Sequence, residues 1–478
     1  MLMNQLPMRG LVIAIVMASA TPAGAADFAF APPIVSALPK DHTPIVVRLG
    51  DLDGNGILDA VATGRNWDGE PNTNGRVAVM RGIGDGTFEL WSLLLIPQGH
   101  SEDAAIADLN GDGFLDVAVS VSGPRGRIAA FLGNGNGGFA APTFTDIERG
   151  PRGMTLADLD GDGDLDAAAV NYSSGSVSIA RNDSGVFTTI GVTRLMPYLG
   201  GLPFPQQAVA VDIEGDGDAD VLTTTIGGGR VSVLRGRNDG TLASGVDWKP
   251  ALINKEAPAV IGTNIADFDG DGDFDLALPV LLVTQSQKLV VLRGDGTGAF
   301  PEQSVFDADI FSYAWCSVPI DVDSDGRIDL AIGTALSGFV SFVRNETESP
   351  AGPLAFVAQP LVIPYGLFVR DLVSADIDGD GDADLVGIEI AGSTLFTLLN
   401  ATAPDNHGGA ATAQRSADPP KAPMTPPLKV PERDITGDGR FDAADVARWL
   451  GDWVPSLQSG LQPGLQPGPE PASPEVAK

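Results

Sequence analysis

The chain has 478 residues, 43% of them hydrophobic, and a formal net charge of −33. That length serves two or three ordinary domains or one large repeat domain. The charge argues against nucleic acid as a partner, because phosphates would be repelled. The single cysteine, Cys316, leaves no intrachain disulfide to form.

The first predicted element is a leader. In "MRGLVIAIVMASATPAGAAD", Arg9 precedes the apolar core Leu11–Ala20, and Ala23-Gly24-Ala25 offers small residues for cleavage. The pattern predicts a secretory signal peptide over residues 1–26, too short for a comfortable membrane span. It places the mature protein outside the cell, at its surface or in the periplasm, with no transmembrane anchor after cleavage.

Acidic loops then recur along the chain. They read "DLDGNGILD" at Asp51, "DLNGDGFLD" at Asp108, "DLDGDGDLD" at Asp158, "DIEGDGDAD" at Asp212, "DFDGDGDFD" at Asp267, "DVDSDGRID" at Asp321 and "DIDGDGDAD" at Asp376. The seven loops are separated by 57, 50, 54, 55, 54 and 55 residues. Self-similarity at a period near 50 signals a propeller, solenoid or array.

Oxygen-bearing side chains at positions 1, 3, 5 and 9, with glycine at 6 for the sharp bend, are the loop chemistry of Ca²⁺. The predicted ligands are Asp51, Asp53, Asn55 and Asp59 in loop 1, and Asp108, Asn110, Asp112 and Asp116 in loop 2. Loop 3 offers Asp158, Asp160, Asp162 and Asp166, and loop 4 offers Asp212, Glu214, Asp216 and Asp220. Loops 5, 6 and 7 offer Asp267, Asp269, Asp271 and Asp275; Asp321, Asp323, Asp325 and Asp329; and Asp376, Asp378, Asp380 and Asp384. Asn55, Asn110 and the Arg327 at position 7 predict weaker binding in loops 1, 2 and 6 than in loops 3, 5 and 7.

Each repeat reads as four short strands. In residues 103–147 these are Ala104–Leu109, Leu115–Ser120, Arg127–Leu132 and about Phe139–Ile147, joined by glycine-rich turns. Four antiparallel strands per repeat make a propeller blade, with the acidic loop between the first two. The fold class expected over residues 27–402 is therefore all-β, a seven-bladed β-propeller.

The acidic loop, followed two strands later by "GIGDGTF" at Gly82, "GNGNGGF" at Gly133 or "GDGTGAF" at Gly294, resembles the FG-GAP/VCBS repeat of integrin alpha-subunits and secreted bacterial proteins. The resemblance spans roughly residues 28–402 and implies a β-propeller. The seventh repeat lacks a fourth strand, while "FAPPIVSAL", Phe30–Leu38, precedes the first loop at the spacing of a fourth strand. That segment is expected to complete blade 7 and cover two open edges.

A Pro/Ala-rich linker follows over residues 403–432. Within the module expected over residues 433–453, "DITGDGRFDAADVARWLGDW" (434–453) places Asp434, Thr436, Asp438, Asp442 and Asp445 at positions 1, 3, 5, 9 and 12 of an EF-hand-type loop. Val446, Trp449, Leu450 and Trp453 form an apolar helical stripe behind it. The segment resembles a dockerin repeat, which implies Ca²⁺ and a cohesin-like partner; it is a single repeat, with Asp445 where an EF-hand has glutamate. The tail, residues 454–478, is low-complexity and expected to be disordered.

Histidines 42, 100 and 407 are scattered, and no nucleophile–base constellation, phosphate loop or zinc spacing appears. Catalysis is not expected. A binding face is: Tyr172, Tyr198, Tyr313 and Tyr365, with Trp67 and Trp315, fall in turns or blade connections opposite the acidic loops, with Phe204, Phe311 and Phe368 nearby. Such aromatics suit protein or glycan recognition, although large aromatics also fill gaps between blades. The reading is an adhesion or binding propeller. Its alternatives are a structural surface-layer component and a polysaccharide-degrading, lyase-like enzyme; the enzyme would gather Arg149, Arg152, Arg194 or Arg370 at the centre of the aromatic face.

Overall fold

The computed structural model describes residues 28–402, apart from 41, 67–73, 198–202, 226–228, 244, 252, 254–258, 261, 282–286, 308–312, 336–337, 351, 365 and 367. The expected leader and everything from residue 403 onward, including the loop at Asp434, lie outside the described residues. What is described is all β-structure, in seven antiparallel sheets, with no helix among the described residues.

Each sheet is a blade. Blade 2 runs His100–Ala107, Asp116–Ser122, Gly126–Phe131 and Thr143–Ile147, hydrogen-bonded in that order. The first strand of each blade is innermost. The inner strands of blades 1 and 2, His42–Gly50 and His100–Ala107, are in contact, as are those of blades 2 and 3 and of 3 and 4. Val369–Ala375, the inner strand of blade 7, touches both Tyr313–Ile320 of blade 6 and His42–Gly50 of blade 1, which closes the ring.

The inner strand starts earlier than its apolar pattern suggests. Ala104–Leu109 was the expected span, but the strand is His100–Ala107 and begins with the polar run His100-Ser101-Glu102-Asp103. Hydropathy marks only the half that packs between blades; the polar half pairs equally well by its backbone. In blade 5 the inner strand is split into Ala259–Val260 and Asn264–Ala266, both paired with Asp275–Leu281.

Blade 7 is completed from the other end of the chain, as the spacing of Phe30–Leu38 predicts. Ile34–Ala37 lies antiparallel to Thr394–Leu398, with Ile34 opposite Thr397 and Ala37 opposite Thr394. Phe30 bridges Asn400, and the Ala401 amide donates to the Ala29 carbonyl at 2.8 Å. The seam is also sewn to blade 1, where the Phe88 amide donates to Ser36 Oγ at 2.9 Å and Thr397 Oγ1 to the Gly86 carbonyl at 2.7 Å.

There is no single central core. Seven hydrophobic clusters lie between successive blades, and the one joining blades 7 and 1 packs Val386, Ile388 and Leu395 against Val47, Ala62 and Met80. Apolar burial therefore sits in the walls, leaving the ring's two mouths to polar chemistry.

Candidate functional sites at the two mouths of the ring

Every acidic loop follows the C-terminal end of an inner strand, so all seven lie at one mouth. Their wrapping repeats closely. The position 1 aspartate accepts from the position 6 glycine amide at 2.7–3.1 Å in all seven loops. The position 5 side chain accepts from the position 7 amide at 2.7–3.1 Å, again in all seven. Position 4 is left-handed as well as position 6, with Gly161 at φ 77° and Gly163 at φ 94° in loop 3. The sequence argument explains only the second of these glycines. Loop 6 carries Ser324 at position 4, at φ 55°, where a side chain is rarely tolerated.

Position 9 does something its spacing does not reveal. Asp59, Asp116, Asp166, Asp220, Asp275, Asp329 and Asp384 are all 0–1% exposed. One oxygen of each accepts from the position 2 amide at 2.8–3.2 Å. The other accepts, at 2.6–2.9 Å, from the amide at the end of the blade's third strand: Gly82, Gly133, Asn182, Gly236, Gly294, Asn345 or Asn400. These carboxylates tie the loop to its own blade. Burial pushes the carboxyls of Asp166, Asp275 and Asp384 up to about 6 and that of Asp329 to about 8, against the pull of their amide donors.

The loops suit a hard cation unequally. Three carboxylate oxygens come within 4.8 Å of one another in loops 1, 3, 5, 6 and 7. In loops 1, 4, 5 and 6 an arginine already sits on the position 3 carboxylate. The contacts are Arg81–Asp53 at 3.1 Å, Arg235–Glu214 at 2.7 Å, Arg293–Asp269 at 2.7 Å and the buried Arg344–Asp323 at 3.1 Å. All four arginines immediately precede the residue whose amide binds position 9. Loop 6 adds Arg327 on Asp325. Loop 3, with Asp158, Asp160 and Asp166 converging, and loop 7, with Asp376, Asp378 and Asp384, combine converging carboxylates with no such ion pair among those the structure shows.

The opposite mouth is ringed by the N-terminal ends of the inner strands. Tyr172 lies in the turn after Asp166–Asn171 of blade 3, where its ring is 4.9 Å from that of Phe204 and tilted 40° to it. Trp315 lies within an inner strand, Tyr313–Ile320, and not in the connection where the sequence places it; its edge-to-face partner is Phe368 at 5.1 Å. Tyr313 opens the same strand, opposite Ala335. Trp67, Tyr198, Tyr365 and Phe311 lie outside the described residues.

Of the four arginines singled out from sequence, two are central. Arg152 lies over the Tyr172 ring, 4.5 Å from its centroid, and Arg370 over the Trp315 ring at 5.1 Å. Arg149 is exposed, and Arg194 pairs with Glu148 at 2.9 Å on the rim, so neither joins them.

The structure adds partners that sequence reasoning missed. Arg65 donates to both oxygens of the buried Glu102, at 2.6 and 2.7 Å, and Glu102 also accepts from Ser122 Oγ. Arg65 and then Arg152 pull the Glu102 carboxyl below the usual range against its burial. One layer deeper, Arg48 bridges Asp103 at 2.6 Å and Asp371 at 2.9 Å, lacing blades 1, 2 and 7. Asp103 also accepts from the Met154 amide of blade 3 at 3.0 Å. Burial lowers the His100 imidazole, helped by Arg65, and pushes that of His42 down to about 4.

The FG-GAP-like repeat profile matches residues 51–119, 108–169, 158–223 and 212–278, each match running from one acidic loop past the next. No curated protein matches the chain. Among solved structures, the chain is similar to a putative 6-phosphogluconolactonase from Bacteroides uniformis at 14% identity and TM-score 0.50, over 77% of this chain and 96% of that one. It is also similar to the WD40 domain of Toxoplasma gondii coronin, at 12% identity and TM-score 0.48, over 80% and 90%. At such identities the likeness concerns the fold alone. Residues 51–278 carry FG-GAP-like repeats, and the ring they help to build is a seven-bladed β-propeller.

Proposed function

We propose that this protein is an exported binding or adhesion module, braced by Ca²⁺ at one mouth and taking an extracellular protein or glycan at the other. What supports the reading is the segregation of chemistry between the mouths. Carboxylate loops occupy one, and stacked aromatics with guanidinium groups occupy the other. A bound cation would be held by side chains at positions 1, 3 and 5, with position 9 offering remaining lone pairs, and would neutralise charge that now repels. Extracellular Ca²⁺ modules bind at about 10⁻⁴–10⁻³ M, so millimolar Ca²⁺ would add about 1.4 kcal/mol at each of the tighter sites. The loop Asp434, Thr436, Asp438, Asp442 and Asp445 would be a further Ca²⁺ site, serving a cohesin-like partner.

A glycan array read with and without EDTA tests the binding role. Trp315→Ala separates it from gap-filling: a binding anchor loses affinity, with hot spots costing about 2 kcal/mol or more, while the melting temperature holds. A fall in stability with no separate fall in affinity would sink the binding face.

A second reading, a polysaccharide-degrading enzyme, is favoured by one grouping. His100, kept neutral by burial and by Arg65, lies in the arginine-lined mouth, so a neutral base stands beside guanidiniums that would neutralise an acidic sugar. Release of new reducing ends from an anionic polysaccharide, abolished by His100→Ala, would establish it. Intact polymer after prolonged incubation would exclude it.

A further inference from the structure

Five of the seven inner strands break register, all in the half nearest the aromatic mouth. The breaks fall between Pro44 and Val47, Ser101 and Asp103, Pro151 and Met154, Ala314 and Cys316, and Val369 and Asp371. The residues inside them are Ile45–Val46 in blade 1, Glu102 in blade 2, Arg152–Gly153 in blade 3, Trp315 in blade 6 and Arg370 in blade 7. A bulge gives up ladder pairing and re-aims a side chain, and bulges gather beside functional sites. Four blades thus spend their bulge on a charged residue or a tryptophan. Arg65 reaches the same group from the neighbouring strand through its Nη2, which donates to both Glu102 oxygens.

The side chains so aimed are held in place. Arg152 lies over the Tyr172 ring, and its Nη1 donates to Gln206 Oε1 at 3.3 Å; Arg370 lies over the Trp315 ring. Phe204, which backs Tyr172, sits at φ 52°, a left-handed conformation in which a bulky residue is an outlier. Strain of that kind persists where the surroundings over-determine it and clusters at ligand sites.

The charge is unusual for so acidic a chain. Arg65, Arg152 and Arg370 act on one another across the mouth; Glu102 faces Arg65 and Arg152, and Asp371, in the layer beneath with Arg48 and Asp103, acts on Arg370. Among the described residues, four guanidiniums meet three carboxylates there, in a protein of net charge −33. Burial first, then Arg152, pushes Arg370 down to about 10. A guanidinium held over a ring is oriented by it, and the planar fork of donors that it carries matches a carboxylate bidentately. Arg65 already holds an internal carboxylate, its Nη2 donating to both Glu102 oxygens.

We propose that the mouth opposite the acidic loops is a carboxylate-binding site, with Arg152 and Arg370 as its forks and Tyr172 and Trp315 as the platforms that orient them. The carboxylate is borne by an acidic sugar or by a small organic acid. The proposal rests on the binding-face reading and names the ligand chemistry of that face.

Calorimetric titration of the full chain in Ca²⁺, with trigalacturonate, citrate, inorganic phosphate and neutral galactotriose as probes, tests it. Saturable binding of trigalacturonate or of citrate is expected, and which of the two binds identifies the source. Arg152→Gln and Arg370→Gln should each weaken it at least tenfold, Arg152→Lys nearly as much, and the rim change Arg149→Gln should leave it unaltered. Melting curves of each variant keep misfolding from being mistaken for lost binding, and Arg152→Lys preserves the charge should the glutamine change unfold the ring. Silence from both carboxylates, binding that survives both glutamine changes, or phosphate binding as tightly as either acid would overturn the proposal. Galactotriose bound in a Trp315-dependent way would overturn the carboxylate class while leaving the binding face standing. An array blank in every position would take both down.

Discussion

At the residue scale, the seven position 9 aspartates separate two roles that one motif conflates. Asp166 is buried and accepts from the Leu159 and Asn182 amides, at 3.2 and 2.8 Å. Asp162, in the same loop, is exposed and accepts only from the Asp164 amide at 3.0 Å among the bonds shown. Leaving a buried amide without its acceptor costs about 1–3 kcal/mol. Asp166→Ala should therefore lose about 2–4 kcal/mol in EDTA, while Asp162→Ala should lose little there and only blunt the response to Ca²⁺. Urea melts of both variants with and without EDTA decide it, and equal losses in EDTA would refute the division of labour.

At the element scale, the end of each third strand controls its loop. Sequence charge alone ranks loops 3, 5 and 7 together, yet Arg293 Nε stands 2.7 Å from Asp269 in loop 5. An arginine on a ligand must be displaced before a cation gains that carboxylate, so loops 3 and 7 should fill first and loop 5 should fall behind them. Site-resolved occupancy at limiting Ca²⁺ checks the order, and Arg293→Met should raise loop 5 toward loops 3 and 7. Loop 5 filling first in the unaltered chain would show that the arginine does not compete. The other decisive element is the closing strand. Removing Phe30–Leu38 unpairs Thr394–Leu398 and uncovers Phe88 and Gly86 of blade 1. Exposed edges template aggregation, so this deletion should precipitate the protein while removal of Val454–Lys478 should not. A soluble, cooperatively melting deletion variant would contradict the seam.

At the scale of the whole molecule, one mouth stores electrostatic repulsion. Asp166, Asp275 and Asp384 titrate near 6 and Asp329 near 8, all above an unfolded aspartate, because burial penalises their charge. Between about pH 4 and 8 the folded state therefore holds more protons than the unfolded chain, and its stability falls as pH rises. In EDTA the melting temperature should drop steadily from pH 5 to pH 8. Millimolar Ca²⁺ should raise it most at pH 8, where the carboxylates are ionised, and so flatten the profile. A metal-free protein equally stable at both pH values, or a melting temperature indifferent to EDTA at pH 8, would remove the loops from the stability of the ring.

The amino-acid sequence by itself determined the number of blades, the position of each acidic loop, and the closure by Phe30–Leu38. All three follow from spacing, since a repeat that cannot bury its faces alone must recur at a fixed period and be capped at its ends. It also picked out Arg152, Arg370, Tyr172 and Trp315 as residues of one face. Only the tertiary structure decided which of them meet. Arg65 and Glu102 lie 37 residues apart, and Arg48 and Asp371 lie 323 apart, in strands brought together by ring closure. The bulges that aim Glu102, Trp315 and Arg370 change no local composition, because a register break is a relation between two strands. The arginines that sit on Asp53, Glu214, Asp269 and Asp323 are likewise silent in the loop motif; they come from the end of the third strand of the same blade or, for Arg235, from the residue just past it. Periodicity is written along one chain, whereas electrostatic partnership depends on distance in space.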